Sequence, residues 1–321
     1  MKGYFGNEVA CIFLDQFAAS NLFDQPPSED WVKIRDLLLE KHGKGKLICP
    51  VPFEHLLESS NKLQDNALVV DRQFGKLSNG FAFLSESVAA TRYMIALVRG
   101  EAISQRVFFG LLRHAETLNQ EGAFVEYKAL HQVLKSQIDD TVGNQNELRE
   151  TLKQKRFPRS VIEPLYQAAK FLQVRSFLDR LESLIAKGHF ISEGVTINGE
   201  QVIKWTDLLL QYLLLEHKMT YQESIRLWDL LDKTGFDQIP PLDIRCSLTA
   251  NIAVEHKKET VNDQIDIMRL STGLLPSDLV FTDKQRKFEL EQTGLAEKYG
   301  TKVFSGTKAD VKDFFAHLQM L

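Results

Sequence analysis

VNDQIDIMRLSTGLLPSDLVFTDK, residues Val261–Lys284, sets a helix pattern directly before a strand pattern. Ile265, Met268 and Thr272 recur at three- and four-residue spacing, which predicts a helix through Gly273 and puts Asp263 and Asp266 on one face. Pro276-Ser277 signals a turn, and DLVFTD (278–283) then reads as a short buried strand with a carboxylate at each end, Asp278 and Asp283. Asp283 falls at the carboxyl end of that strand, where open α/β sheets hold their ligands.

Four carboxylates crowded in this way repel one another unless a cation or a proton offsets the charge. Oxygen ligands without His or Cys suit hard ions, so Mg²⁺ or Mn²⁺ is the expected cofactor. The competing reading is that several of these aspartates simply cap helices and strands on a solvated surface. A second acidic strand end upstream favours the metal. Glu8–Leu14 (EVACIFL) is a near-continuous apolar run of strand length that leads into Asp15, as a central parallel strand would.

The rest of the chain supplies a frame for these two strands. A chain of 321 residues, 44% hydrophobic and 26% charged, has the composition of a folded protein of about two domains. A net charge of −4 excludes a globally basic nucleic-acid binder while leaving room for a local basic patch. Cys11, Cys49 and Cys246 are odd in number and scattered, which fits a reducing compartment better than a disulfide framework. The apolar part of MKGYFGNEVACIFLDQF is too short for a signal peptide, and no apolar run is long enough to span a bilayer, so a cytoplasmic protein is expected.

After Asp15, Ser28 caps a predicted helix over 29–41, Leu47-Ile48-Cys49 forms a second strand, and a helix resumes at Phe53 and runs through Glu58. Toward the other end, a helix near 285–293 precedes the strand Lys302-Val303-Phe304, and Thr307 with Asp310 opens a closing helix. Between about Gly80 and Gly235 helix signals dominate. Ser160-x-x-Glu163 and Thr220-x-x-Glu223 match capping boxes, and LLLQYLLL (208–215) reads as a helix buried within a bundle. The expected architecture is an α/β fold whose parallel sheet, flanked by helices, is assembled from both chain ends (1–78 and 238–321), with a large all-α insertion at 79–237.

Taken in order, FLDQ with Asp15, HLLES with Glu58, NDQIDIMRLSTG with Asp263 and Asp266, and VFTDK with Thr282 and Asp283 resemble the acidic motifs of PIN-like nuclease domains, the fold of VapC-type toxin ribonucleases. More narrowly, LDQ, PVPFEHLLESS, LSNGFAF and NDQIDI…PSDLVFTDK are similar to bacterial PIN-like proteins with large helical insertions. The resemblance covers the two ends of the chain; the middle matches no family pattern. It implies that Asp15, Glu58, Asp266 and Asp283 are the catalytic metal ligands, with Asp263 assisting. Glu54 competes with Glu58, and Asp263 with Asp266, each pair sharing one helix face. The chemistry implied is hydrolysis of a phosphodiester, most simply in RNA although DNA stays open, with the ion polarising the phosphoryl oxygen and activating a water.

Thr282 and Asp278 are candidate supporting residues. Lys284, Arg286 and Lys287, directly after Asp283, are candidates for substrate phosphate contacts, as are Lys153, Lys155 and Arg156 in KQKRFPR (153–159). The histidines show no ligand pairing such as HExxH, and no GxxxxGK loop points to a nucleotide triphosphatase. Expected partners are the nucleic-acid substrate and an antitoxin or other protein at the helical insertion, with no membrane; self-association stays open. The rival from another class is a non-catalytic PIN-like scaffold whose insertion binds its partner, and the two part on whether the carboxylates converge.

Overall fold

The structure, a computed structural model, describes residues 3–6, 8–55, 64–111, 146, 161–190, 192, 194–197, 200–255 and 259–321. Its strands in chain order are β1 (Ala10–Leu14), β2 (Leu47–Ile48), β3 (Val51–Pro52), β4 (Phe81–Phe83), β5 (Phe109–Leu111), β6 (Gly194–Ile197), β7 (Glu200–Ile203), β8 (Leu279–Phe281) and β9 (Lys302–Phe304). The chain divides into two compact units: Met1–Ser85, Ser104–Leu134 and Thr272–Leu321 form the first, Glu86–Ile103 and Lys135–Ser271 the second.

In the first unit a four-stranded sheet has the order β2-β1-β8-β9, and every pairing is parallel. Its central pair joins the two ends of the chain, with Phe13 opposite Val280. All five residues of β1 are buried, which explains why the run is apolar without alternation: a parallel sheet is covered on both faces. Ile12 and Leu14, two apart, share one face with Phe281 and Phe304, under Trp31, Ile34, Leu38, Phe314 and Leu318 of the helices Glu29–Gly43 and Lys308–Met320. Phe13 turns to the other face, where its ring meets Phe83 with 5.7 Å between centroids. A smaller sheet, β3-β4-β5, pairs β3 with β4 in parallel and β4 with β5 antiparallel.

Gly273 ends the helix Val261–Gly273, and a methyl group there would overlap the Phe13 ring. The glycine is what lets the chain approach β1 so closely. Gly273→Ala should therefore cost about 1–3 kcal/mol through overpacking, read as a lowered urea midpoint with an unchanged slope. A midpoint equal to that of the unsubstituted protein would show that Phe13 gives way freely.

The second unit is mainly helical: Glu86–Arg99, Ile162–Lys187, Trp205–Gln211 continuing as the π-helical turn Tyr212–Glu216, Tyr221–Thr234, Pro240–Val254 and the helix Val261–Gly273 up to Ser271. Pro240-Pro241 opens its helix where a missing N–H does no harm. Thr220 and Glu223 form the expected capping box, Glu223 Oε2 accepting from Thr220 N at 2.7 Å and Thr220 Oγ1 from Glu223 N at 3.3 Å. Ser160 lies outside the described residues. Leu209, Leu210 and Leu213 of LLLQYLLL are buried, but Leu215 is 63% exposed, so that segment is not apolar-packed all round.

Two features differ from the sequence reading. The stretch read as all-α carries β4, β5 and the antiparallel hairpin β6-β7, in which Ile197 pairs with Glu200. The unit boundaries also fall elsewhere than 78/79 and 237/238, because Phe81–Phe83 and Phe109–Leu111 pair within the first unit, and Pro240–Val254 belongs to the second.

Candidate functional site

Strands β1 and β8 both point their carboxyl ends to one edge of the sheet, and each runs into an aspartate that starts a helix. Asp15 caps the helix Gln16–Phe23, its Oδ1 accepting from Ala18 N at 2.7 Å. Its Oδ2 accepts from Asp283 N at 3.1 Å, and its own N–H donates to Phe281 O at 3.1 Å. The side chain is only 5% exposed. Asp283 caps the helix Lys284–Gln292: Oδ1 accepts from Gln285 N at 2.6 Å and Arg286 N at 3.0 Å. Asp283 is partly exposed, and its Oδ2 makes no hydrogen bond among the described residues. Thr282, buried between them in sequence, donates its N–H to Phe304 O and so ties β8 to β9. Two carboxylates from opposite ends of the chain thus share one hydrogen bond at the mouth of two helix amino termini, whose dipoles stabilise negative charge.

The other candidates fall in different places. Asp278 sits at the amino end of β8, the far end from Asp283, where its Oδ2 accepts from Cys11 N at 2.8 Å. Asp263 belongs to the second unit and closes a capping box: its Oδ2 accepts from Thr260 N at 2.7 Å and Thr260 Oγ1 at 2.6 Å. Asp266 lies three residues on, half-buried, in the same unit. Glu54, directly after β3, is buried, and beside it in sequence His55 pairs with Asp71 at 2.6 Å under the edge of the Phe74 ring. Glu58, Lys153, Lys155 and Arg156 lie outside the described residues. Lys284 is exposed, whereas Arg286 is buried and ion-paired with Glu289, and Lys287 bridges to Asp310 at 2.7 Å. Among the described residues no group of three His, Cys, Asp or Glu side chains is placed to hold a metal. The three cysteines are free and buried, and burial pushes the Cys49 and Cys246 thiols up, so they are inert.

Two features at this edge were not read from the sequence. Past β9, Asp310 accepts from Ser305 N at 3.0 Å, from Ser305 Oγ and from Lys287 Nζ. Burial pushes its carboxyl up, but the hydrogen bonds from Lys287 and Ser305 and the lysine charge outweigh burial and hold it below the ordinary aspartate value. The sequence showed this residue only as a helix opener. The second feature is Gln16, the residue after Asp15. Both heteroatoms of its carboxamide are shut off from solvent and neither has a hydrogen-bond partner. Each polar group buried in this way costs about 1–3 kcal/mol. Its position in FLDQ was the one available signal.

Compared with protein-family models, curated proteins and solved structures, the chain matches none. Among the described residues no helix is long and apolar enough to cross a membrane.

Proposed function

We propose that the chain is a cytoplasmic, metal-dependent phosphodiester hydrolase with a PIN-like sheet, cleaving RNA at the edge marked by Asp15 and Asp283. The observation that carries this reading is the hydrogen bond between Asp283 N and Asp15 Oδ2, which joins two strand-end aspartates from opposite ends of the chain. The donor set fits a small hard cation. Mg²⁺ binds through one or two carboxylates and keeps most of its waters, so a third protein carboxylate is not obligatory.

Asp15 and Asp283 would hold the ion, with Glu58 and Asp266 as the further ligands implied by the resemblance. The ion supplies a Lewis acid for the phosphoryl oxygen and lowers the pKa of a bound water. Asp15 is fixed in orientation because both its oxygens accept backbone N–H groups. Asp283 keeps one oxygen uncommitted. Lys284, exposed immediately after it, supplies positive charge for the substrate backbone. The second unit is then the surface for an antitoxin or other protein partner.

A non-catalytic scaffold is the second reading, favoured by the capping work that Asp15, Asp263 and Asp283 each perform. One assay separates the two. Purified protein incubated with single-stranded RNA and Mg²⁺ or Mn²⁺ should cleave it, and excess EDTA should stop cleavage. RNA left intact with either ion would favour the scaffold.

A further inference from the structure

The orphaned carboxamide of Gln16 has a place in this site. A glutamine amide offers one acceptor oxygen and two donor hydrogens. Buried groups of this kind are paired in nearly all native structures, and an exception calls for a water, an ion or a ligand to complete it. Gln105 shows the usual case, with its Oε1 accepting from Tyr4 N at 2.7 Å. In Gln16 neither end is used. An apolar side chain of the same length would fill the position without that penalty, so packing does not explain a glutamine there.

The location narrows the choice of ligand. Gln16 is the first residue of the helix that Asp15 caps, one peptide link (about 3.8 Å between Cα atoms) from the carboxylate that binds Asp283 N. A polar molecule held by Gln16 is therefore held beside the paired aspartates.

We propose that Gln16 is a positioning residue that orients the attacking water, Oε1 accepting one of its hydrogens and the amide N–H group donating to a phosphoryl oxygen. This assignment rests on the nuclease reading. In the step served, the water oxygen bonds to phosphorus while the bond from phosphorus to the leaving ribose oxygen breaks and that oxygen takes the electron pair. The water gives one proton to Asp283 Oδ2, and the leaving oxygen gains one from solvent. Gln16 itself is unchanged.

The test is Gln16→Met, close in length and without the polar atoms, with Gln16→Ala as a second variant, each assayed for melting temperature and for kcat and KM on single-stranded RNA with Mg²⁺. The expected result is a melting temperature equal to or above that of the unsubstituted protein, KM within about threefold, and kcat lower by about 10²-fold, the cost of a misplaced nucleophile. Full kcat in both variants would overturn the assignment and leave the nuclease reading standing. A melting temperature that falls together with kcat would also overturn it, since Gln16 would then have a structural partner. No cleavage by the unsubstituted protein would overturn the nuclease reading, and this assignment with it.

Discussion

Asp283→Asn should abolish RNA cleavage, by about 10³-fold or more, in a protein that melts where the unsubstituted one does. The two halves of this expectation come from the two oxygens. Oδ1 accepts from Gln285 N and Arg286 N, and asparagine caps a helix as well as aspartate does, so the start of Lys284–Gln292 survives. What the substitution removes is the charge and the second oxygen, which no hydrogen bond occupies among the described residues. A loss of about 10³-fold is of the size seen when one electrostatic partner of a transition state is removed. Asp283→Ala separates the roles, since it loses the cap as well and should cost about 1 kcal/mol. Asp15→Asn differs again. Both Asp15 oxygens accept N–H groups, so an amide nitrogen would face a donor, at a cost of about 1–3 kcal/mol besides the activity. The comparison is made by thermal melting and single-turnover cleavage. Asp283→Asn protein that cleaves at the original rate would remove Asp283 from the chemistry.

Glu86→Ala should be the most damaging single substitution in the second unit, at about 3–5 kcal/mol. Glu86 opens the helix Glu86–Arg99 and is 3% exposed, and its Oε1 accepts from Arg245 Nη1 of Pro240–Val254. Arg245 also lies over the Trp205 ring at 5.0 Å. Removing the carboxylate leaves a guanidinium that cannot shed its charge. The reciprocal change is expected to cost less. Burial pushes the Glu86 carboxyl above its ordinary value, with the Arg245 charge opposing, so in Arg245→Met the glutamate takes up a proton instead of staying charged. A carboxyl whose folded pKa is raised adds stability below its unfolded value, near 4.3, and loses it as pH rises through the folded value. Arg245→Met should accordingly be more stable toward urea at pH 5 than at pH 8, relative to the unsubstituted protein at each pH. Equal losses for both variants, without that pH dependence, would mean that the pair acts only through packing.

The sheet was legible where burial writes itself into sequence. EVACIFL is apolar throughout because both faces of β1 are covered, and β9 was placed at Lys302–Phe304 by its short apolar run between Gly300 and the helix signals that follow. The hairpin β6-β7 was missed although VTINGEQVI carries Asn198-Gly199 between β-forming residues, a strong short-range hairpin signal that the helix-rich surroundings obscured. Leu215 shows the complementary error: an apolar octet reads as buried all round, but the π-helical turn shifts the phase of its face. At the site, Asp15 and Asp283 could be read because a carboxylate after a buried strand has a fixed place at the sheet edge. Their capping bonds could be anticipated from the helix starts behind them. Arg286 could not be separated from Lys284, since which side of a nine-residue helix is buried depends on neighbours distant in the chain. Gln16 was invisible for the same reason, because the absence of a partner is a property of packing.

Whether the paired aspartates bind a divalent ion is measured most directly by titrating Mn²⁺ into the full-length protein by isothermal calorimetry, alongside Asp15→Asn and Asp283→Asn. Saturable binding to the unsubstituted protein, weakened at least about tenfold in each variant, is the predicted result, since each substitution removes one of the two charges that hold the ion. No binding by the unsubstituted protein, or equal affinity in all three, would contradict a metal site at the edge where β1 and β8 end.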